Sequence, residues 1–420
     1  MLDVAIVGGG PVGAVLAHAL AREGFEVAVL EREAAPASAP ICREQIGACP
    51  EGASPKGAVL GWTASAVGST GFDGRVIALA EGGRRLLAGW GLWGGLAPHA
   101  EPIERIHVSL RGAWGSARFA AREEGVAALG HVLDSACMAP VLCDAARSSG
   151  VHWYAPARYL AHAPEGEGVA LRFTTLDGEQ VLRARLLVGA DGAGSAVRTA
   201  LGLPVNERDY GQTAILARVE VERAETRVAF ERFTDEGPIA LLPMGGSRYS
   251  LVWVTPAGDA ERRMGLADGA FLDELGGRFG PRLGRFVATG PRHAYPLRAV
   301  TAGAVTAPRA VVLGNAAHAL HPVAGQGLNL CLRDIRVLLG EVSRARQEGR
   351  DIGSASVLAA YAAARGADYA RSYPLMDLLA RGFTRAVPVP GALKGLALAA
   401  LDAVPPLRAG FLRQMMGLNG

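Results

Sequence analysis

Six residues near the start, Gly8-Gly9-Gly10-Pro11-Val12-Gly13, restrict the fold more than any other part of the chain. They follow a short apolar run at residues 4–7 and precede an Ala-rich stretch that reads as a helix to about Glu23. Residues 27–30 make the next apolar strand, which ends at Glu31. A glycine triad in this strand–turn–helix setting specifies a βαβ unit. Gly8 serves the tight turn, Gly10 lets a pyrophosphate approach the backbone, and Gly13 lets helix and strand pack closely. Glu31 stands about twenty residues on, where an acid accepts ribose hydroxyls. The motif calls for an ADP-bearing dinucleotide and leaves open which one.

Two later turns narrow the choice. An apolar strand ending in Leu186-Leu187-Val188 runs into Gly189-Ala190-Asp191-Gly192-Ala193-Gly194-Ser195, which would bring Asp191 and several amides to the mouth of a nucleotide crevice. Further on, a strand at 310–313 leads into Gly314-Asn315-Ala316-Ala317-His318 and then His321-Pro322-Val323-Ala324-Gly325-Gln326-Gly327-Leu328-Asn329. Pro322, Gly325 and Gly327 allow the backbone close to a flat ring, and the helix opening after Gly327 turns its positive end toward that ring. A reduced isoalloxazine carries negative charge at such a place, so the run reads as a flavin site. His318 and His321 read as structural, His318 by bonding backbone, and His293 as a scaffold residue; no catalytic base is assigned.

The 420 residues suffice for one large or two moderate domains, and 50% hydrophobic content specifies a folded core. A formal charge of +3, scattered along the chain, argues against a nucleic-acid partner. The five cysteines, at 42, 49, 137, 143 and 331, lack metal-ligand spacing. Cys137 and Cys143 are expected as buried free thiols, which implies a reducing, cytoplasmic setting. The first strand begins at once, leaving no room for a signal peptide, and no stretch has the length and purity of a spanning helix.

The expected fold class is α/β: a Rossmann-like nucleotide domain, an inserted β-rich substrate domain and a helical C-terminal region. Residues 1–209 and 299–345 form the discontinuous first domain, with β-rich substrate elements within 72–134. Strands at 214–221, 227–233, 239–243 and 249–254 and a helix near 268–277 place the substrate domain at 210–298. Helices fill 346–420. Residues 36–71, rich in Ala, Gly, Ser and Pro, read as a long loop.

With its three motifs in this order, the chain resembles the single-component flavin-dependent aromatic hydroxylases, and among them the ubiquinone-biosynthesis hydroxylases. Phe72–Leu79, Ala128–Leu133, Gly314–Asp334 and the tail around Tyr361, Arg365, Asp377 and Met416-Gly417 carry the closer match, which covers nearly the whole length. The resemblance implies FAD as cofactor, NAD(P)H as reductant and a polyprenylated phenol as substrate. It implies that Gly8, Gly10, Gly13 and Glu31 bind the ADP half and that Arg75 lies near the flavin and its phosphates. Asp191 and Gly192 would serve the pyrophosphate and NAD(P)H, Asn315 the ribityl chain, and Pro322, Gly325, Gly327, Leu328 and Asn329 would surround the isoalloxazine. Two departures stand out. Asn315 replaces the Asp of the wider class, as in the ubiquinone branch, and the segment from about Ile41 to Ser69 exceeds the family's usual linker.

From Arg381 onward five basic residues (Arg381, Arg385, Lys394, Arg408, Arg413) face one acid, Asp402, amid many leucines. This tail reads either as a helical cap packed on the core or as a basic, greasy surface in peripheral contact with the inner membrane. Two further readings compete with the hydroxylase of a polyprenylated phenol. One is a flavin hydroxylase of a soluble aromatic; the other is a flavin-binding scaffold of a ubiquinone-synthesis complex. A halogenase is disfavoured because no Trp-x-Trp-x-Ile-Pro segment occurs.

Overall fold

The computed structural model describes residues 1–34, 75–319, 325–382 and 391–418. The long Ala/Gly/Ser/Pro segment, including the extra stretch at 41–69, lies outside the described residues, as do Pro322, His321, Cys42 and Cys49.

The apolar runs at the N-terminus become the strands Leu2–Val7 and Val27–Leu30, joined by the helix Pro11–Arg22. Residues 4–7 and Val27–Leu30 are buried on two faces, which is why these stretches are apolar throughout rather than alternating. Leu2–Val7 pairs in parallel with Val27–Leu30 on one side and Gly178–Gly189 on the other. Ala310–Val312 adds in parallel beyond Gly178–Gly189, and His152–Tyr154 beyond Val27–Leu30. Gly168–Thr175 and Arg158–Glu165 extend Gly178–Gly189 as an antiparallel meander. The helices Pro11–Arg22 and Gly327–Gln347 share one core cluster with this sheet.

A second sheet runs in the order His318–Ala319, His293–Ala302, Val205–Val221, Arg248–Pro256, Pro238–Pro243, Val228–Phe233, Arg105–Leu110, Ser116–Ala120. Its sequence-expected strands appear within a few residues of their predicted ends, but Val205–Val221 begins earlier. Pairing of Arg105–Leu110 with Val228–Phe233 is parallel and spans over a hundred residues of chain. One face is dry: Ile215, Phe230, Leu241, Leu251 and Trp253 pack under the helices Ala257–Met264 and Asp268–Phe279. The other face turns toward a small sheet of Val76–Ala80, Gly130–Asp134 and Glu101–Ile103. The run at 72–79 is described from Arg75, with its strand starting at Val76.

The helix Ala355–Gly382 packs along Gly327–Gln347, and Arg208 reaches across to bond Asp377 at 2.8 Å. Gly391–Ala403 and Pro405–Met416 meet at a 93° bend. Among the described residues no single helix is long and apolar enough to cross a membrane; this bent pair passes by length and composition only when taken together.

Candidate functional site

The three glycine-rich turns, far apart in sequence, touch in space. Gly8 has φ +107°, and a Cβ there would lie 2.4 Å from the carbonyl oxygen of Ala190, in the second turn. Gly314, at φ +61°, backs onto Val12 of the first turn, where a Cβ would meet Cγ1 at 3.0 Å. Within the first turn a Cβ on Gly13 would sit 1.8 Å from the Gly8 oxygen, so only glycine allows the helix this close. Gly10 is the N-cap of Pro11–Arg22, with Pro11 in the first turn and no side chain capping it. The first amides of the helix are thus left for an anion. A pyrophosphate fits this cradle.

Glu31 turns back onto the loop it was expected to serve from a distance. Its Oε2 accepts the Gly9 amide at 2.5 Å and its Oε1 the Glu33 amide at 3.0 Å. Trp153 closes the same corner, its ring 2.7 Å from where a Gly9 Cβ would stand. Asp191 is likewise engaged: it accepts the Ser195 hydroxyl at 2.5 Å and the Val197 amide at 3.2 Å. Gly192 beside it, at φ +85°, faces open space.

Arg198, for which no role was expected, ties the second turn to the third. It is buried, donating through Nη2 to the Ala193 carbonyl and through Nη1 to the Ala316 carbonyl, both at 2.8 Å. The result is an exposed Asn315 on a 3₁₀ turn whose neighbours Gly314 and Ala316 are buried.

Asp334 is the second residue without a sequence-assigned role. Fully buried, it accepts four hydrogen bonds: Arg365 Nε at 2.7 Å, Tyr369 hydroxyl at 2.8 Å, His318 Nε2 at 2.6 Å and the Gly314 amide at 3.1 Å. Burial alone would raise its pKa, but His318, Arg365 and the Tyr369 hydroxyl more than offset that and hold the carboxyl below the usual aspartate range. His318 is therefore structural as expected, but its partner is a buried carboxylate rather than backbone.

Asn329 also differs from expectation. Its side-chain oxygen accepts the Ala80 amide at 2.8 Å, and its nitrogen donates to the carbonyls of Ala78 and Gly325. The side chain stitches the third motif to the Val76–Ala80 strand. Gly325, at φ +60°, presses on Ala78 so closely that a Cβ would lie 2.8 Å from the Ala78 methyl. Gly327 and Leu328 open the helix Gly327–Gln347, which has no side-chain cap. Arg75, just before that strand, is exposed with its guanidinium 5.6 Å from the centre of the Tyr295 ring. Of the cysteines expected to be buried, Cys143 is, with burial pushing its thiol up to about 11, whereas Cys137 is only half-buried.

On the face of the large sheet turned toward the Val76–Ala80 strand, partial exposure along one line beside the packing of Val76 and Val132 marks a shallow crevice. Its sheet wall is one cross-strand line in register: Val108, Glu231, Ala240, Val252 and Leu216. All five are half-buried, while the opposite-face neighbours Phe230, Ile239, Leu241, Leu251, Trp253 and Ile215 are buried.

Comparison with known proteins agrees with this geometry. A family described as FAD binding domain matches residues 1–46 and 72–368, passing over part of the extra segment. A ubiquinone hydroxylase, UbiL, from Rhodospirillum rubrum is 35% identical over 99% of this chain and 89% of its own length. The 3-demethoxyubiquinol 3-hydroxylase of Escherichia coli is 30% identical over 99% of this chain and 98% of its own. Among solved structures, p-nitrophenol 4-monooxygenase from Pseudomonas putida superposes with TM-score 0.76 at 18% identity, covering 100% of this chain and 98% of its own, which shows a common fold. The chain is a flavin-dependent aromatic monooxygenase and belongs to the FAD-binding hydroxylases, in the branch of the ubiquinone-biosynthesis hydroxylases.

Proposed function

We propose that the protein hydroxylates the ring of a polyprenylated phenol on the way to ubiquinone, using oxygen and NAD(P)H. The observation that carries this reading is the meeting of the three turns at Gly8, Ala190 and Gly314 beside a mostly apolar crevice. Gly8, Gly10 and Gly13 would receive the pyrophosphate of FAD, with Glu31 holding the turn and the ribose edge. Asp191 and Gly192 would border the pyrophosphate, Asn315 the ribityl chain, and Gly325, Gly327, Leu328 and Asn329 the ring system, with Arg75 beside it. When bound, the flavin supplies hydride acceptance and oxygen activation. The chain supplies position, a positive helix end and exclusion of water. In this reading residues 1–209 and 299–345 serve the cofactor, 210–298 the substrate, and 346–420 brace both.

A Cβ at Gly13 collides with the Gly8 oxygen, so Gly13→Val is expected to purify with little or no flavin. Undiminished visible flavin absorbance would refute the assignment. For the wild type, anaerobic NADPH is expected to bleach the flavin faster when a short-chain prenyl methoxyphenol is present. Flavin indifferent to both would instead mark a scaffold.

The location of such a substrate in lipid agrees with the outer face of Gly391–Ala403. Its inner face, Gly395, Leu398 and Asp402, packs on the hairpin of Arg105–Leu110 and Ser116–Ala120. The exposed residues from Ala392 to Leu407, among them Leu393, Leu396, Val404 and Leu407, are all apolar. Charge is turned inward and grease outward, the reverse of a helix made for water. Trp114, 81% exposed at the hairpin tip, adjoins Gly395. This composite face would rest on a bilayer interface, where tryptophan and leucine are favoured.

A further inference from the structure

Glu231 is out of keeping with its surroundings. On its own strand and face stand Ala229 and Phe233. On the flanking strands the same face carries Ile106, Val108 and Leu110, and Pro238, Ala240 and Leu242. All are apolar, and among the described residues the Glu231 carboxylate has no hydrogen-bond or ion-pair partner. An unpartnered acid in apolar surroundings costs stability, so its presence calls for a ligand.

The position supplies one. To one side the face is sealed by Ala229, Ile106 and Leu242 against Val76 and Val132; to the other, by Phe233 and Leu110 against Leu398 and Tyr210. Glu231 lies between these seals, in the half-open line of the crevice wall. The opposite boundary includes the Val76–Ala80 strand gripped by Gly325 and Asn329 of the third motif. A flat ring entering the crevice would therefore stand between the Glu231 carboxylate and the cofactor side.

We propose that Glu231 is a catalytic residue that accepts the proton of the phenol's ring hydroxyl. This rests on the aromatic-hydroxylase reading above. The phenolic O–H bond breaks, its proton bonds to a carboxylate oxygen of Glu231, and the electron pair stays on the phenol oxygen. The ring, now a phenolate, is more electron-rich at its ortho and para carbons, and nothing is oxidised or reduced in this step. Burial pushes the Glu231 carboxyl up to about 7. That narrows its distance from a phenol near ~10 while leaving a large ionised fraction at neutral pH. Of the other charged or titratable groups on or opposite this face, Arg218 pairs with Asp134, Asp377 with Arg208 and the Tyr210 hydroxyl, and Arg75 stands over Tyr295; His293 continues the line beyond Leu216, and Glu101 stands beside Val132 on the small sheet.

The test compares wild type, Glu231→Gln and Glu231→Asp, each as the full chain with FAD bound, using a short-chain prenyl methoxyphenol. Wild type and variants are compared at equal flavin content. Hydroxylation by wild type should rise with pH through about 7, while Glu231→Gln falls about a hundredfold and recovers only at alkaline pH, where the phenol ionises unaided. Glu231→Asp should recover part of the turnover. A Glu231→Gln protein with undiminished turnover and an unchanged pH profile, beside an active wild type, overturns the role of Glu231 alone. A wild type that retains flavin yet never hydroxylates the phenol overturns the substrate reading and this proposal together.

Discussion

Asp334 shows how one buried carboxylate can brace a glycine-rich turn from behind. It fixes the Gly314 amide and His318 on one side and Arg365 and Tyr369 on the other, so the turn carrying Asn315 is braced against the Ala355–Gly382 helix. Asp334→Asn keeps the shape but leaves the buried Arg365 paired with Asp368 alone and His318 without its carboxylate, and is expected to cost up to about 3–5 kcal/mol in chemical denaturation. Because the folded carboxyl is held below its unfolded value, its contribution is present above the ordinary aspartate pKa near ~4 and lost as pH falls below that. Denaturation midpoints measured against pH should therefore drop in acid more steeply for wild type than for Asp334→Asn. The sequence showed Asp334 only as a charged residue in an amphipathic helix, because its four donors come from segments 16 to 35 residues away. Glu231 was equally hidden. In Val-Ala-Phe-Glu-Arg-Phe either Glu231 or Arg232 could face water, and only the helices covering the Phe230 side decide which.

At the level of elements, local signals served well where a strand or helix is defined by its own periodicity. Residues 4–7, 27–30 and 310–313 were legible because burial makes them apolar, and the glycine turns because their backbone angles exclude other residues. The partnership of Arg105–Leu110 with Val228–Phe233 was not, since register between distant strands leaves no local mark. The outward apolar face of Gly391–Ala403 was seen only as composition; which side it presents depends on Gly395 seating against the hairpin. Leu393→Ser with Leu396→Ser should reduce cosedimentation with anionic phospholipid vesicles several-fold, as two buried side chains are worth about 3–6 kcal/mol at full burial. Turnover of a short-chain phenol should be unchanged. Vesicle binding equal to wild type would return the helix to the role of a cap; a variant that instead loses self-association in light scattering would point to a second copy as the occupant.

Across the whole molecule, the substrate wall and the cofactor turns are joined by a few bridges from the C-terminal helices. Arg208 to Asp377 links the large sheet to Ala355–Gly382, the same helix that braces Asp334. Arg208→Ala removes an exposed pair, so stability should change by no more than about 1 kcal/mol. Thermal denaturation would check this, and a much larger loss would mean that the bridge couples the two halves.

The contact of residues 8, 190 and 314 has a consequence for biogenesis. The junction of these turns, proposed above as the FAD cradle, cannot exist on a nascent chain until more than three hundred residues have been made and the parallel sheet has formed. A cofactor that binds only the finished fold adds its binding energy to that fold alone. The yellow colour of the purified protein would thus serve as an assay of completed folding, and scarcity of flavin in a cell would be felt first as loss of the protein itself.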